Sequence, residues 1–275
     1  MNIITESLYT IPDEKKACVV IDADWHNKYG LIVVTKEKNK YRVVINGRPI
    51  DTSFSFHYPF IRWIDNSQFI LVDARCKGKQ HNAFIHHISG TLTTSFHCGD
   101  AISDIQVNKE GIWVGYFDEG VYGDGISTEG LVFFSLKGNP LKRYYTDLEE
   151  DKPGIDDCYA MCRGKGSSIW MYAYGDFELT HWDLINNQLK SYQVPDVCAG
   201  SKAICVRGNY AYFHARYSRP DNLYAWEIGK KKAKLIAKIK GELRGLSPRE
   251  RSHFINVDEK EVSVCYIENE NETYS

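Results

Sequence analysis

The feature that most constrains the fold of this chain is an internal repeat of two strand-like runs joined by a short polar turn. The copies lie at 60–72, 102–116, 158–174, 203–215 and 253–267. Within each copy, β-branched and aromatic residues on both sides of the turn are typical of an antiparallel hairpin. Residues taken as equivalent positions of the second strands are 43, 57, 42 and 51 residues apart, and they are Ile70, Trp113, Trp170, Tyr212 and Ser263.

A third strand-like run follows most copies, and a shorter fourth run follows the third. The third runs lie at 82–89, 131–138, 179–186 and 223–230, and the fourth runs at 92–97, 141–146 and 190–194. Four antiparallel strands in a unit of about 40 to 50 residues are typical of a β-propeller blade. The sequence therefore predicts an all-β ring of such blades.

The amino-terminal region adds one more unit, with strand-like runs at 17–24, 31–37, 41–47 and 54–58. The last unit has only two clear strands, and the segment 2–10 can supply its outer strand, which leaves no bare sheet edge. We therefore predict a single domain over residues 1–275, a β-propeller with six blades of four antiparallel strands, closed by an N-terminal strand. Five or seven blades follow if the amino-terminal region is divided differently, and a pair of β-sandwiches is the alternative architecture.

Two dipeptides in the third runs resemble the signature of WD-type repeats. Trp182-Asp183 and Trp226-Glu227 occupy the place of the Trp-Asp pair. The Gly-His dipeptide that opens those repeats is missing, so the resemblance implies a generic propeller.

Composition and charge exclude several classes of function. The formal net charge is −2, which gives no overall attraction to nucleic acid or anionic lipid. The amino terminus lacks the basic and apolar regions of a signal peptide, and no run is apolar enough for a membrane span. The eight cysteines are dispersed in a chain that has apolar residues enough for a core, so we expect reduced, buried thiols. We expect a cytoplasmic protein without membrane contact or direct nucleic-acid binding.

The lengths of the connections indicate which face of the propeller binds. In a propeller, the turns that join strands one to two and three to four lie on one face, and here these turns are short. The other connections lie on the opposite face, and several are long: 74–82, 117–130, 146–157, 195–202, 215–222 and 241–251. Long loops on a rigid scaffold are where binding concentrates.

Charge on these loops is divided between blades, and aromatic residues accompany the acids. Blades three and four contribute the acids, whereas the other long loops contribute Arg75, Lys77, Lys79, Arg216, Arg219, Arg244, Arg249 and Arg251. Acidic and aromatic side chains together favour a basic protein partner. The predicted partner-binding residues are Tyr116, Phe117, Asp118, Glu119, Tyr122, Asp124, Glu129, Glu149, Glu150, Asp156, Asp157, Tyr174, Asp176, Phe177, Glu178, Arg216 and Arg219.

No motif assigns a reaction to this chain. Cys158 with Cys162, and His86 with His87, lack the spacing of a zinc site. Nucleophile and phosphate-binding motifs are missing, so we expect no metal, no cofactor and no catalytic residue. The acids leave two alternatives open: a calcium ion on the acidic loops, or a hydrolase or lyase that acts on a sugar or small ester at the central channel.

In overall plan, a propeller without a signal peptide or catalytic motif and with a divided loop face resembles the large immunity proteins of bacterial contact-dependent toxin systems. The resemblance covers the whole chain. It implies that the acidic loops cover the active site of a basic toxin, such as a nuclease, in place of the phosphates that the toxin would bind. Enzymatic activity is then not required.

Overall fold

The computed structural model describes residues 1–52, 56–76, 78, 80–149, 151–217 and 219–268. These residues form six antiparallel sheets of four strands each, the blades of a β-propeller, as the repeat predicts. The first strands of the blades line the centre of the ring, and the fourth strands form its rim. In the part of the chain that is described, no helix is long and apolar enough to cross a membrane.

The first strand of the chain, β1 (Asn2–Thr10), belongs to the last blade. Blade one contains β2 (Cys18–His26), β3 (Gly30–Glu37), β4 (Lys40–Ile45) and β5 (Arg48–Ile50). Blade two contains β6 (Pro59–Trp63), β7 (Gln68–Asp73), β8 (Ala83–His87) and β9 (Leu92–Phe96). Blade three contains β10 (Ile102–Asn108), β11 (Gly111–Tyr116), β12 (Leu131–Phe134) and β13 (Pro140–Arg143).

Blade four contains β14 (Ile155–Arg163), β15 (Ser168–Gly175), β16 (Glu178–Asp183) and β17 (Gln188–Gln193). Blade five contains β18 (Ser201–Arg207), β19 (Tyr210–Ala215), β20 (Asn222–Glu227) and β21 (Lys234–Lys238). Blade six contains β22 (Glu242–Gly245), β23 (Phe254–Val257), β24 (Glu261–Glu268) and β1. Two single-turn helices, α1 (Asp118–Val121) and α2 (Tyr144–Asp147), lie in connections of blade three.

The core consists of six apolar clusters, each between two neighbouring blades. Successive side chains of a strand point to opposite faces of its sheet, so each blade contributes to two clusters. In β11, for example, Ile112 and Val114 pack towards blade two, whereas Trp113 packs towards blade four. Both faces of a blade are therefore buried, which explains the nearly continuous apolar runs in the sequence. All eight cysteines are buried and unpaired, as expected.

The ring closes as the sequence predicts, through the amino-terminal strand. β1 pairs with β24 in antiparallel register from Asn2 opposite Glu268 to Thr10 opposite Glu261. The last blade thus combines the two ends of the chain, and β1 covers the edge of β24. Because the contact joins residues more than 250 positions apart, it ties the first blade to the sixth.

The predicted strand order of blade six is wrong by one strand. The segment 253–267 supplies the second and third strands, and the first strand is β22, within the predicted loop 241–251. Ser263 therefore lies on a third strand and is not equivalent to Tyr212. β22 escaped recognition because it is short and carries Glu242 and Arg244, which are typical of a loop.

Two further assignments change with the strands. The fourth strand of blade one is β5, before the predicted run 54–58, of which 54 and 55 lie outside the described residues. In blade six, Arg249 and Arg251 lie in the connection between the first and second strands, on the face opposite to the predicted one. Arg244 lies on β22 and lines the channel, away from the surface loops.

Candidate functional site

The central channel widens on the face that carries the connections between second and third strands and between successive blades, which we call the long-loop face. A cleft of about 940 Å³ opens there. Its walls combine first strands with long loops, and they include Asp22, Asp104, Phe117, Asp157, Tyr159, Lys202, Arg216, Tyr217 and Glu242. A recess of this size with convergent polar and aromatic side chains defines the candidate site.

A buried ion triad closes the bottom of this cleft. Arg62 on β6 donates hydrogen bonds to Asp22 on β2 and to Asp104 on β10, the latter at 2.6 Å. Asp22 also accepts the backbone N–H of Ile61 at 2.8 Å. Burial lowers the pKa of Arg62, but the carboxylates of Asp22 and Asp104 raise it by more. The pKa of Arg62 therefore lies above its ordinary value. The triad links blades one, two and three, and each of its carboxylates is bonded to Arg62.

An aromatic cluster lies at the edge of the cleft on blades four and five. Tyr159 packs against Tyr174 with ring centroids 5.7 Å apart, and against Phe177 at 5.9 Å and Tyr217 at 6.2 Å. Tyr174 is 47% exposed and Tyr217 is 62% exposed. Large aromatic side chains held by their neighbours but open to solvent are favoured as contact residues.

Lys202 joins this aromatic cluster to an acid. Its Nζ lies 3.3 Å from the centre of the Tyr159 ring and 3.7 Å from Oδ2 of Asp157. Burial raises the pKa of Asp157, and the charge of Lys202 opposes that shift. Oδ1 of Asp157 is buried without a hydrogen-bond partner in the described structure. The carboxylate is therefore only partly satisfied where it lines the cleft.

The insert 117–130, predicted as a loop, is folded compactly. It contains α1 and a 3-10 turn, Gly125–Glu129, and the Oγ of Ser127 both donates to the carbonyl of Asp100 and accepts its N–H, at 2.8 and 2.9 Å. Tyr122, which is 72% exposed, donates its hydroxyl to Asp156 on the next blade. These bonds hold the acidic insert against two neighbouring connections, so its side chains have a defined position.

Several acids of blades three and four are exposed and form no ion pair with the residues that the structure describes. They comprise Asp118, Asp124, Glu149, Asp176 and, half-buried, Glu178. By contrast, Glu119 is paired with Arg75 at 2.7 Å. The unpaired acids and the exposed tyrosines lie on the same face of the same two blades and of blade five. Within the described ranges, no three His, Cys, Asp or Glu side chains are grouped to hold a metal ion.

Two of the predicted site residues have roles inside the fold. Tyr116 is completely buried and donates its hydroxyl to the carbonyl of Cys98 at 2.6 Å, so it does not reach the surface. Glu129 accepts the backbone N–H groups of Tyr145 and Thr146 at the start of α2, at 2.8 and 3.0 Å. In the sequence, both residues look like surface residues of a binding site. In the structure, their hydrogen bonds hold parts of the fold together.

The remaining predicted residues lie on the long-loop face. Phe117 lines the cleft and lies below the guanidinium of Arg75 at 5.4 Å. Arg216 is paired with Glu242 across two blades, and Arg219 is exposed. Glu150 lies outside the described residues.

Sequence reasoning missed several of the residues that form the walls and floor of the cleft. Tyr159 lies on a first strand, where core packing is expected, and Lys202, at the end of the predicted loop 195–202, lies on the first strand of blade five. A signal was present, because Asp22, Arg62 and Asp104 are charged residues within otherwise apolar first strands. In a propeller such positions face the channel, so they could have been assigned to it.

Comparison with known proteins identifies the fold of this chain and nothing more specific. The sequence matches no protein-family profile and no curated protein. The structure is similar to virginiamycin B lyase from Staphylococcus aureus with quinupristin (TM-score 0.53, 9% identity, 97% of this chain and 100% of that chain). It is also similar to a streptogramin B lyase (0.52, 10%, 98% and 99%) and to Kluyveromyces lactis Hsv2 (0.53, 12%, 88% and 72%). At these identities the likeness shows the fold alone: this chain is a six-bladed β-propeller.

Proposed function

We propose that this propeller is a protein-binding module that uses the long-loop face of blades three to five to bind a basic partner. One observation carries the proposal. Exposed acids that form no ion pair with a described residue, such as Asp118 and Asp176, lie on the same face as the exposed rings of Tyr122, Tyr174 and Tyr217. Carboxylates that form no internal ion pair are available to the cations of another protein.

The two kinds of side chain have complementary roles in such an interface. Tyrosine provides a large contact area with few rotatable bonds, which makes it favourable at the centre of an interface. Carboxylates at the rim steer a basic partner towards the face and make association sensitive to salt. The insert 117–130 presents both kinds of side chain from a fixed backbone, so little conformational entropy is lost on binding.

We further propose that the partner is a basic toxin domain such as a nuclease, and that the protein is an immunity or antitoxin-type inhibitor. The acidic side chains would then occupy the place of the phosphates of the toxin's substrate. The support consists of the charge of the face and the resemblance in overall plan to large immunity proteins of bacterial contact-dependent toxin systems.

Neutralising the unpaired acids should weaken partner binding without unfolding the protein. Asp118→Asn with Asp124→Asn, and separately Asp176→Asn with Glu178→Gln, each remove two negative charges from the proposed face. We expect each pair to weaken binding about thirtyfold at low salt, because charge pairs at an interface contribute of order 1 kcal/mol each. The measurement is capture of proteins from the native organism by immobilised wild type and variants, followed by titration of the captured partner.

The matched control is Glu6→Gln with Glu227→Gln, which removes the same charge from the rim and the opposite face. A basic protein captured by the wild type and the control, but lost from the acid variants, supports binding by this face. If the captured partner is also toxic alone and harmless with the wild type, the immunity role is supported. Equal capture by all four proteins contradicts the proposed face.

The alternative function, a hydrolase or lyase at the channel, ranks second. It draws on the shared fold with virginiamycin B lyase, which at 9% identity carries no information on activity. In this chain the channel carboxylates Asp22 and Asp104 are both bonded to Arg62. Because each already has a charged partner, neither is placed to exchange a proton with a ligand without first breaking that bond.

A further inference from the structure

The channel has a second recess at its other end, on the face that carries the turns between first and second strands, which we call the short-loop face. This cavity has a volume of about 140 Å³, equal to the liquid volume of about four or five water molecules. Arg62 and Arg244 line both recesses and separate them. The cavity therefore does not belong to the cleft described above.

Basic side chains from three blades converge on this cavity. Arg163 is the last residue of β14, Arg244 lies on β22, and Arg249 lies in the connection between β22 and β23. Lys109, in the turn after β10, lies at its rim. Guanidinium groups present several donors in a plane and bind tetrahedral oxyanions with two parallel hydrogen bonds.

The connection that carries Arg249 is fixed in place from both sides. Buried Glu250 accepts the backbone N–H of Asn27 at 2.8 Å and lies 3.3 Å from Nε2 of His26. On the other side, Arg207 donates to the carbonyls of Leu246 and Ser252 at 3.1 and 2.9 Å. The walls of the cavity are thus held before any ligand binds.

The acids of the cavity already have partners. Asp24 accepts from Arg244 at 3.0 Å and from the backbone N–H of Trp63 at 2.9 Å. Glu250 has the partners given above, and Glu110 accepts the hydroxyl of Ser167. None of these carboxylates forms an ion pair with Arg163 or Arg249.

Arg163 is the unbalanced charge. Its guanidinium makes one hydrogen bond, to the carbonyl of Val107, and no carboxylate among the described residues lies within 4 Å of it. Burial lowers the pKa of Arg163, the more distant carboxylates of Asp24 and Glu250 raise it, and the positive charges of Arg244 and Arg249 lower it again, with a net decrease. A half-buried cation without a counter-ion is costly, and an anion between these arginines would remove that cost.

We propose that this cavity binds a phosphate-sized oxyanion through the guanidinium groups of Arg163, Arg244 and Arg249. The ion is either free inorganic phosphate or the phosphate group of a small organic molecule that extends through the opening of the cavity. The site is independent of the proposed partner-binding face, because it lies at the opposite end of the channel.

The test is calorimetric titration of the full chain with sodium phosphate, with chloride adjusted to keep the ionic strength constant. We expect saturable binding to the wild type, and binding weakened about tenfold or more in Arg163→Gln and in Arg249→Gln, because each substitution removes charge-assisted hydrogen bonds. Arg42→Gln, on the exposed side of β4, is the control of equal charge change and should bind like the wild type. Melting temperatures are measured for all four proteins.

Two further ligands identify the ion. Phenyl phosphate that binds more tightly than inorganic phosphate indicates an organic phosphate as the source, whereas binding of inorganic phosphate alone indicates the free ion. Three results overturn the proposal: no saturable heat with the wild type, equal loss in Arg42→Gln, or acetate binding as tightly as phosphate. If Arg163→Gln does not fold, the exposed Arg249→Gln decides the outcome.

Discussion

His253 shows how a single buried residue couples this fold to pH. It lies between blades five and six, accepts the backbone N–H of Ile267 at 3.2 Å and contacts the Tyr212 ring edge-on at 5.1 Å. Burial, assisted by the positive charge of Arg207, lowers the pKa of His253 to about 3. The imidazole therefore stays neutral in the folded chain, while in the unfolded chain it is protonated below a pH of about 6.5.

The stabilisation that His253 contributes should be complete above pH 6.5 and be lost progressively as the pH falls towards 3. Between pH 6.5 and 5 the loss is about 2 kcal/mol, since only the unfolded state binds the proton. Urea unfolding across this range should show a flatter pH dependence of the unfolding free energy for His253→Gln. An unchanged slope in His253→Gln would contradict the assignment.

Among the strands, β22 shows how the position of an element can depend on close packing against its neighbours. A Cβ on Gly245 would lie 1.9 Å from the carbonyl oxygen of Ile204 on β18 and 3.0 Å from Cβ of Cys162 on β14. Three first strands thus approach one another here more closely than any side chain permits. The sequence of β22 by itself favours a loop. The strand is stable because neighbouring strands surround it.

Gly245→Ala should destabilise the propeller by about 1–3 kcal/mol or more, because overpacking displaces the adjoining first strands. Gly154→Ala is the matched control, since a Cβ there meets no atom within 4 Å. Thermal and urea denaturation of the two variants should separate them clearly. Equal stability of Gly245→Ala and the wild type would show that the inner strands can move apart at little cost.

At the scale of the whole molecule, stability depends on closure of the ring by β1. Each apolar cluster is shared by two blades, so no blade has a complete core of its own. β1 contributes Ile3 to the cluster between blades five and six and Leu8 to the one between blades six and one. It also covers the edge of β24, which would otherwise be open to pairing with another chain.

Deletion of residues 2–10 should lower the melting temperature by about 10 °C and promote self-association through the exposed edge of β24. Thermal denaturation and size-exclusion chromatography measure the two effects. A synthetic peptide of residues 1–12, added in excess, should restore both properties by pairing with β24. A truncated protein with the melting temperature and elution volume of the wild type would show that the ring does not need β1.

Much of the architecture could be predicted from the sequence, and the failures share one cause. Blades two to five were recognised because both faces of their inner strands are largely apolar, and the closing role of β1 followed from the missing outer strand of the last unit. β22 and β5 were missed because each has three or four residues and a polar composition. Strands of that length are defined by the neighbours that they pair with, which the local sequence does not describe.

For the candidate site, the sequence predicted which face of the propeller carries the long connections, and the structure located the individual side chains on that face. The position of the insert 117–130 on the long-loop face followed from strand order alone. Whether an acid there is free could not be predicted, because Glu129 and Asp124 look alike in sequence, yet only Glu129 accepts hydrogen bonds from α2. Likewise, nothing local to Tyr116 distinguishes its buried hydroxyl from the exposed one of Tyr122.

The sequence by itself determined the class of fold, the six-fold repeat and the closure of the ring, because these follow from the period of apolar residues along the chain. Only the tertiary structure decided which charges are paired. Arg62 bonds to residues 40 and 42 positions away, whereas Arg163 has no carboxylate within 4 Å in the part of the chain that the structure describes. Partners of this kind come together only when separate blades are set side by side in the ring, and that spatial arrangement distinguishes a structural ion triad from an open anion site.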